Sequence, residues 1–211
     1  CGSHEHQDKP HVDFTDLPPD GRLAGCDLGT DRIYTYDISS EGKLSEAAIY
    51  LAEDQTGPRH LAFHPNGQIA YLFGELDSTV TVLAYDANDG SFTQLQKLST
   101  LPEDFNEFNG GAAIRISADG RFVYASNRGH NSIAVFETFE SGTSLIRRQL
   151  ISTEGDFPRD FNLDQTENFL ICANQNSDNL TLYSRDAETG ILSLIQKDIF
   201  APEAVCVYVS K

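Results

Sequence analysis

Five side chains that could hold an anion or move a proton recur at matched offsets along this 211-residue chain. Arg59 lies 8 residues before Gly67, and Arg159 lies 8 before Glu167. Glu75 lies 8 after Gly67, and Arg128 lies 8 after Gly120. His11 lies 10 before Gly21, with the extra length assigned to Leu17-Pro-Pro-Asp20. A guanidinium is a planar fork of donors that grips a carboxylate or phosphate bidentately. It can also stabilise an oxyanion developing on a carbonyl. Histidine moves protons near neutral pH, and a carboxylate can serve the same end. Together the set suits ester or lactone chemistry that proceeds without a Ser or Cys nucleophile. The plainer reading makes Glu75 a structural ion partner of Arg59 or Arg128, and His11 a satisfied loop residue.

The elements that would position these groups are read from a repeat. Four lines of β-forming residues start after Gly21, Gly67, Gly120 and Glu167, in steps of 46, 53 and 47. Several short strands per unit at that period mark β-propeller blades. The chain therefore reads as all-β, with four-stranded antiparallel blades at about 11–52, 58–100, 111–152 and 158–200. Alternation is clear in Val80-Thr-Val-Leu-Ala-Tyr85 and Leu180-Thr-Leu-Tyr183. Ser39-Ser-Glu-Gly42, Ala87-Asn-Asp-Gly90 and Ala187-Glu-Thr-Gly190 read as hairpin turns closed by a glycine at positive φ. Leu101–Gly111 reads as an inserted loop, with a lid as its functional reading. In a meander, strand one starts and strand two ends at the same face. His11, Arg59, Glu75, Arg128 and Arg159 are therefore expected to rim one mouth of a central channel.

The closing run Ala201-Pro-Glu-Ala-Val-Cys-Val-Tyr-Val209 repeats the pattern of a blade's first strand. Residues 203–209 are thus expected to form an innermost strand. The chain reads as one domain, 1–211, of four blades plus a closing strand, the C-terminal part of a longer chain.

A net charge of −17 disfavours nucleic acid and anionic membrane as partners. No apolar run approaches the roughly 18 residues of a membrane span. Cys26 and Cys172 sit inside apolar strands and read as small buried hydrophobes rather than a disulfide frame, which points to a reducing, cytoplasmic setting. His4 with His6, and Asp27 with Asp31, have spacings that could bind a metal, but a polar leader and polar blade loops account for them. No metal site and no cofactor are assigned.

The chain resembles the 6-phosphogluconolactonase-type lactonases, a family of seven-bladed β-propellers. The likeness rests on Cys26-Asp-Leu-Gly-Thr-Asp-Arg32, Gly57-Pro-Arg-His-Leu-Ala-Phe-His-Pro65, Glu75-Leu-Asp-Ser-Thr-Val80, Tyr124-Ala-Ser-Asn-Arg-Gly-His130, Phe157-Pro-Arg-Asp160 and Ala173-Asn-Gln175, in that order. The resemblance implies a cytoplasmic hydrolase that opens a small anionic sugar-acid lactone without a cofactor. Through the distantly similar carboxy-muconate lactonizing enzymes it implies catalytic roles for His11, Arg59, Glu75 and Arg128. It implies substrate contacts for Arg159, His60, Asn127 and Asn174. Asp13 stands where the family often has a second histidine, which leaves His11 as the acid/base candidate beside Glu75. Two other readings stay open: a non-catalytic propeller that binds a metabolite or protein, and a lactone-forming isomerase.

Overall fold

The computed structural model describes residues 2–210. They form sixteen strands in four antiparallel sheets, each taken in chain order. Blade one consists of β1 (Val12–Asp16), β2 (Leu23–Asp27), β3 (Arg32–Ile38) and β4 (Leu44–Leu51). Blade two consists of β5 (Pro58–Phe63), β6 (Ile69–Gly74), β7 (Thr79–Asp86) and β8 (Ser91–Ser99). Blade three consists of β9 (Gly110–Ile116), β10 (Phe122–Arg128), β11 (Ser132–Phe139) and β12 (Ser144–Ser152). Blade four consists of β13 (Pro158–Leu163), β14 (Phe169–Asn174), β15 (Asn179–Arg185) and β16 (Leu192–Phe200). Among the described residues helix is confined to two 3-10 turns, Leu28–Thr30 and Glu140–Gly142. The all-β blade architecture read from the repeat is the one observed.

The residues group into two compact units, Cys1–Ser99 with Glu140–Ser144, and Thr100–Phe139 with Leu145–Lys211. In the first, Cys26, Ile33, Leu61, Leu72 and Leu83 form a fully shielded core, because the inner strands bury both faces. In the second, Phe122, Tyr124, Phe161, Leu170, Cys172 and Tyr183 do the same. Cys26 and Cys172 are free thiols with no exposed surface, and burial pushes both thiols well above their ordinary range.

Side chains tie neighbouring blades together within each unit. The turn between strands two and three ends at a left-handed residue in every blade: Asp31, Ser78, Asn131 and Asp178, with φ of 53–55°. Asp and Asn tolerate that conformation better than other side chains do. Asp31 then accepts hydrogen bonds from the Gln55 and Gly57 N–H groups at 3.0 and 2.8 Å, at the start of blade two. Asn131 accepts from the Phe157 N–H at 2.9 Å, at the start of blade four. The predicted hairpin glycines adopt positive φ, 79° at Gly90 and 70° at Gly190. Their carbonyls accept from Thr35 and Tyr124 of the preceding blades.

Two sequence expectations are corrected. Residues 203–209 do not form a strand. The segment is held by side chains of β13: the Val207 N–H donates to Asp160 Oδ2 at 2.8 Å, and Asn162 Nδ2 donates to the Val207 carbonyl at 3.1 Å. Gln165 Nε2 donates likewise to the Ser210 carbonyl. The physical reason is that a strand needs a backbone ladder, and among the described residues no strand pairs with 203–209. The inserted loop ends at Asn109, since Gly110 and Gly111 open β9. The loop is anchored at both ends. Arg147 donates to the Leu101 carbonyl at 2.7 Å, and Asn109 bonds both the His130 N–H and the Asn127 side chain.

Candidate functional site

The candidate residues belong to a register that the ladders define. In blade two Pro58 pairs with Gly74 and His60 with Phe73, so Arg59 is an extra residue in a β-bulge. In blade four Pro158 pairs with Asn174 and Asp160 with Ala173, so Arg159 is the extra residue. In blade one Val12 pairs with Asp27 and Phe14 with Cys26, which makes Asp13 the extra residue. In blade three the irregularity falls between Gly111–Asn127 and Ile114–Ala125, and includes Ala112. A bulge bends its strand and re-aims one side chain, and bulges cluster beside functional sites. The bulged positions are thus Asp13, Arg59, Ala112 and Arg159, in steps of 46, 53 and 47.

This register corrects the assignment of His11. The connection from Asp16 to its partner Ala24 is one residue shorter than that from Ala62 to Tyr71, not longer. Asp13 therefore matches Arg59, and His11 matches Gly57. The strand two to three turns, Asp27–Asp31, Gly74–Ser78, Asn127–Asn131 and Asn174–Asp178, keep a constant length of five residues, so the residue that blade one lacks is missing after Gly21. Counting 8 residues back from Gly21 recovers the register, as 8 back from Gly67, Gly120 and Glu167 reaches Arg59, Ala112 and Arg159; counting 10 does not.

A second set of equivalent positions follows strand two: Leu28, Glu75, Arg128 and Gln175. Each lies opposite a first-strand residue. The Leu28 N–H donates to the His11 carbonyl, Glu75 to Gly57 and Gln175 to Phe157, at 2.8–3.0 Å, and Arg128 pairs with Gly110. Glu75 and Arg128 thus hold matching places in their blades.

In the first unit, Arg59 Nε sits 2.9 Å from Glu75 Oε2, an ion pair built between the bulge and the residue after β6. Its side chains retain 13% and 24% of their exposure, so solvent reaches the pair. His11 is exposed, and its N–H donates to Asp27 Oδ1 at 2.7 Å. The same Asp27 oxygen accepts from the Gly29 N–H. Asp27 and Asp31 are accordingly occupied by backbone donors. His60 packs edge-on against Phe14, with ring centroids 4.4 Å apart. His11, Asp13 and Glu75 line one cavity of about 270 Å³ with Glu5, His6, Asp8 and Leu28. A larger cavity of about 660 Å³ lies at the other end of blade two, lined by Gln68, Tyr85 and Asn88, and holds none of the candidates.

In the second unit, Arg128 is buried. Its Nη2 donates to the Gly111 carbonyl at 2.8 Å and its Nε to Gly110 at 3.4 Å. The guanidinium stands 5.2 Å from the Phe157 ring centroid. A β-carbon on Gly110 would come within 3.1 Å of Nη2, so glycine there leaves room for the arginine. Arg159 donates to Gln175 Oε1 at 3.4 Å. Its neighbour is neutral, where the equivalent Arg59 faces a carboxylate. Asn127 and Asn174 occupy one repeat position and are both fully buried. The Asn127 amide bonds Thr100 and Ser132, and Asn174 bonds Thr153 and Thr181. Neither side chain reaches the surface, and both brace turns behind the strand ends. Nearby, burial and then the Arg147 charge hold His130 below the ordinary imidazole value.

Among the described residues no three His, Cys, Asp or Glu side chains are grouped to hold a metal ion, and no helix is long and apolar enough to cross a membrane.

A 6-phosphogluconolactonase of Bacillus subtilis is 42% identical over 207 residues, 98% of this chain and 59% of that protein. A protein of Lactobacillus plantarum, known from its crystal structure, is 53% identical with a TM-score of 0.95, over 97% of this chain and 60% of that one. The periplasmic gluconolactonase PpgL of Pseudomonas aeruginosa is 33% identical with a TM-score of 0.89, over 95% and 57%. The chain thus spans about 60% of the length of the relatives it matches. The seven-bladed β-propeller lactonase family matches residues 1–209, and the chain belongs to that family.

Proposed function

We propose that the full-length protein carrying this sequence hydrolyses a sugar-acid lactone of the 6-phosphogluconolactone kind. The observation that carries the reading is the Arg59–Glu75 pair beside the cavity shared by His11 and Glu75. It supports reading Arg59 as an oxyanion-stabilising donor beside two groups able to move a proton. Likeness to the Bacillus 6-phosphogluconolactonase supports the choice of substrate class. In this reading water adds to the lactone carbonyl, and His11 or Glu75 takes its proton. Arg59 stabilises the tetrahedral oxyanion. The ring C–O bond then breaks, and the departing alkoxide takes a proton to give the open hydroxy acid. Arg128, Arg159 and His60 keep the roles that the resemblance implies.

The ion pair is also what a non-catalytic propeller would build, so the test must separate the two. Lactone hydrolysis by the full-length protein is measured against the spontaneous rate on glucono-δ-lactone and its 6-phosphate. Glu75→Gln and His11→Ala are each expected to lower turnover by roughly 10²–10⁴-fold. Arg128→Ala is expected to raise KM or lower kcat more than it lowers Tm. Wild-type turnover equal to the spontaneous rate would favour a binding module.

A further inference from the structure

We infer that Asp13 is the general base of this lactonase reaction; the inference rests on the hydrolase reading above. The bulge places Asp13 at the same repeat position as Arg59 and Arg159. It is exposed, and it lines the cavity shared with His11 and Glu75. Its backbone position is fixed from both sides. Val12 pairs with Asp27, and Phe14 is held by its ladder partner Cys26 and by the edge-on contact with His60. The carboxylate also lies near enough to Cys26 that, after burial, its charge helps push that thiol up.

The other two proton-moving groups suit different parts of the step. Glu75 is engaged at 2.9 Å by the guanidinium assigned to the oxyanion, so its task is to orient Arg59. His11 stands before the strand, held through its backbone by Asp27 and Leu28, and its ring faces the same cavity. Asp13 takes one proton from water as the water oxygen bonds to the carbonyl carbon. The ring C–O bond breaks, and the alkoxide leaving group takes its proton from the His11 imidazolium. The Asp13 carboxyl and the neutral His11 then exchange that proton through solvent, which restores both. The sum is one water added across the C–O bond. The titratable groups facing Asp13 across the cavity are Glu5, His6, Asp8, His11 and Glu75, the last paired with Arg59.

The experiment follows kcat, KM, the pH profile and Tm of the full-length protein on both lactones. Asp13→Asn is expected to lower kcat by roughly 10²–10⁴-fold with Tm held. Asp13→His substitutes a base of higher pKa. It is expected to retain measurable turnover and to move the acidic limb of kcat/KM upward toward about 6.5, some 2 pH units or more. In Glu75→Gln that limb stays in place, while the rate falls. An Asp13→Asn enzyme with kcat within about twofold of wild type, or an Asp13→His profile whose acidic limb does not move, would overturn the inference and leave the lactonase reading intact. A wild-type protein without turnover on either lactone would remove both.

Discussion

Arginine, glutamate and asparagine in this chain show how differently a polar side chain behaves where solvent reaches it and where it does not. The Arg59–Glu75 pair keeps contact with solvent, and an ion pair in that setting contributes about 0–1 kcal/mol to stability. Arg59→Gln should therefore lower Tm little while lowering turnover strongly. Asn127 presents the reverse case. It is fully buried, and its amide joins Thr100, Asn109 and Ser132. Asn127→Ala leaves those partners unsatisfied, at a cost of about 1–3 kcal/mol. Urea unfolding should show that loss, while KM per folded molecule stays unchanged. Sequence alone could not separate the two cases. Asn127 and Arg128 are adjacent and both buried, and only their partners tell them apart: Thr100 and Ser132 for the amide, the Gly110 and Gly111 carbonyls for the guanidinium.

Among the elements, the hairpins were legible from sequence and the bulges were not. Gly, Asn and Asp announce a turn because few residues accept positive φ, so the 39–42, 87–90 and 187–190 connections could be read directly. A bulge adds one residue that no propensity marks, and blade one also has a connection shortened by one. A count of 10 from Gly21, in place of the 8 that holds in the other blades, reached His11 and missed Asp13. The inter-blade clasp at Asp31 depends on both conformation and acceptor. It stands at φ 54° with 3% exposure and accepts two backbone N–H groups. Asp31→Asn keeps an acceptor and tolerates the φ. Asp31→Gly keeps the φ and loses both bonds. Asp31→Ala loses both and adds strain, for a total on the order of 2–4 kcal/mol. The expected order of unfolding midpoints is Asp31, Asn, Gly, Ala.

For the molecule as a whole, acid sets the limit. Asp186 lies below the ordinary carboxylate value, chiefly because the Thr189 N–H and hydroxyl bond it. Burial pushes Asp20 up, but Tyr85 and Arg22 together outweigh it and leave the group lowered. Burial likewise raises Asp164, and the Thr166 hydroxyl with three backbone N–H groups brings it below. Each folded pKa is thus lower than the unfolded one. The stability these groups contribute is complete above about pH 5, and is lost as pH falls through about 4 and below. Melting temperature measured from pH 7 to 3 should be level at first and then fall. Reading the repeat, the blades and the strand ends needed only period and turn chemistry; the closing segment resisted because a strand is a property of two chains of hydrogen bonds, not one. The bulge carries a consequence for descent. A residue that the ladder skips can change without disturbing its neighbours' pairing. Positions 13, 59, 112 and 159 already hold Asp, Arg, Ala and Arg on one backbone form. They act as sockets into which mutation can set acid, cation or nothing, so a lineage can change the chemistry of a strand end one codon at a time while the sheet beneath it is inherited intact.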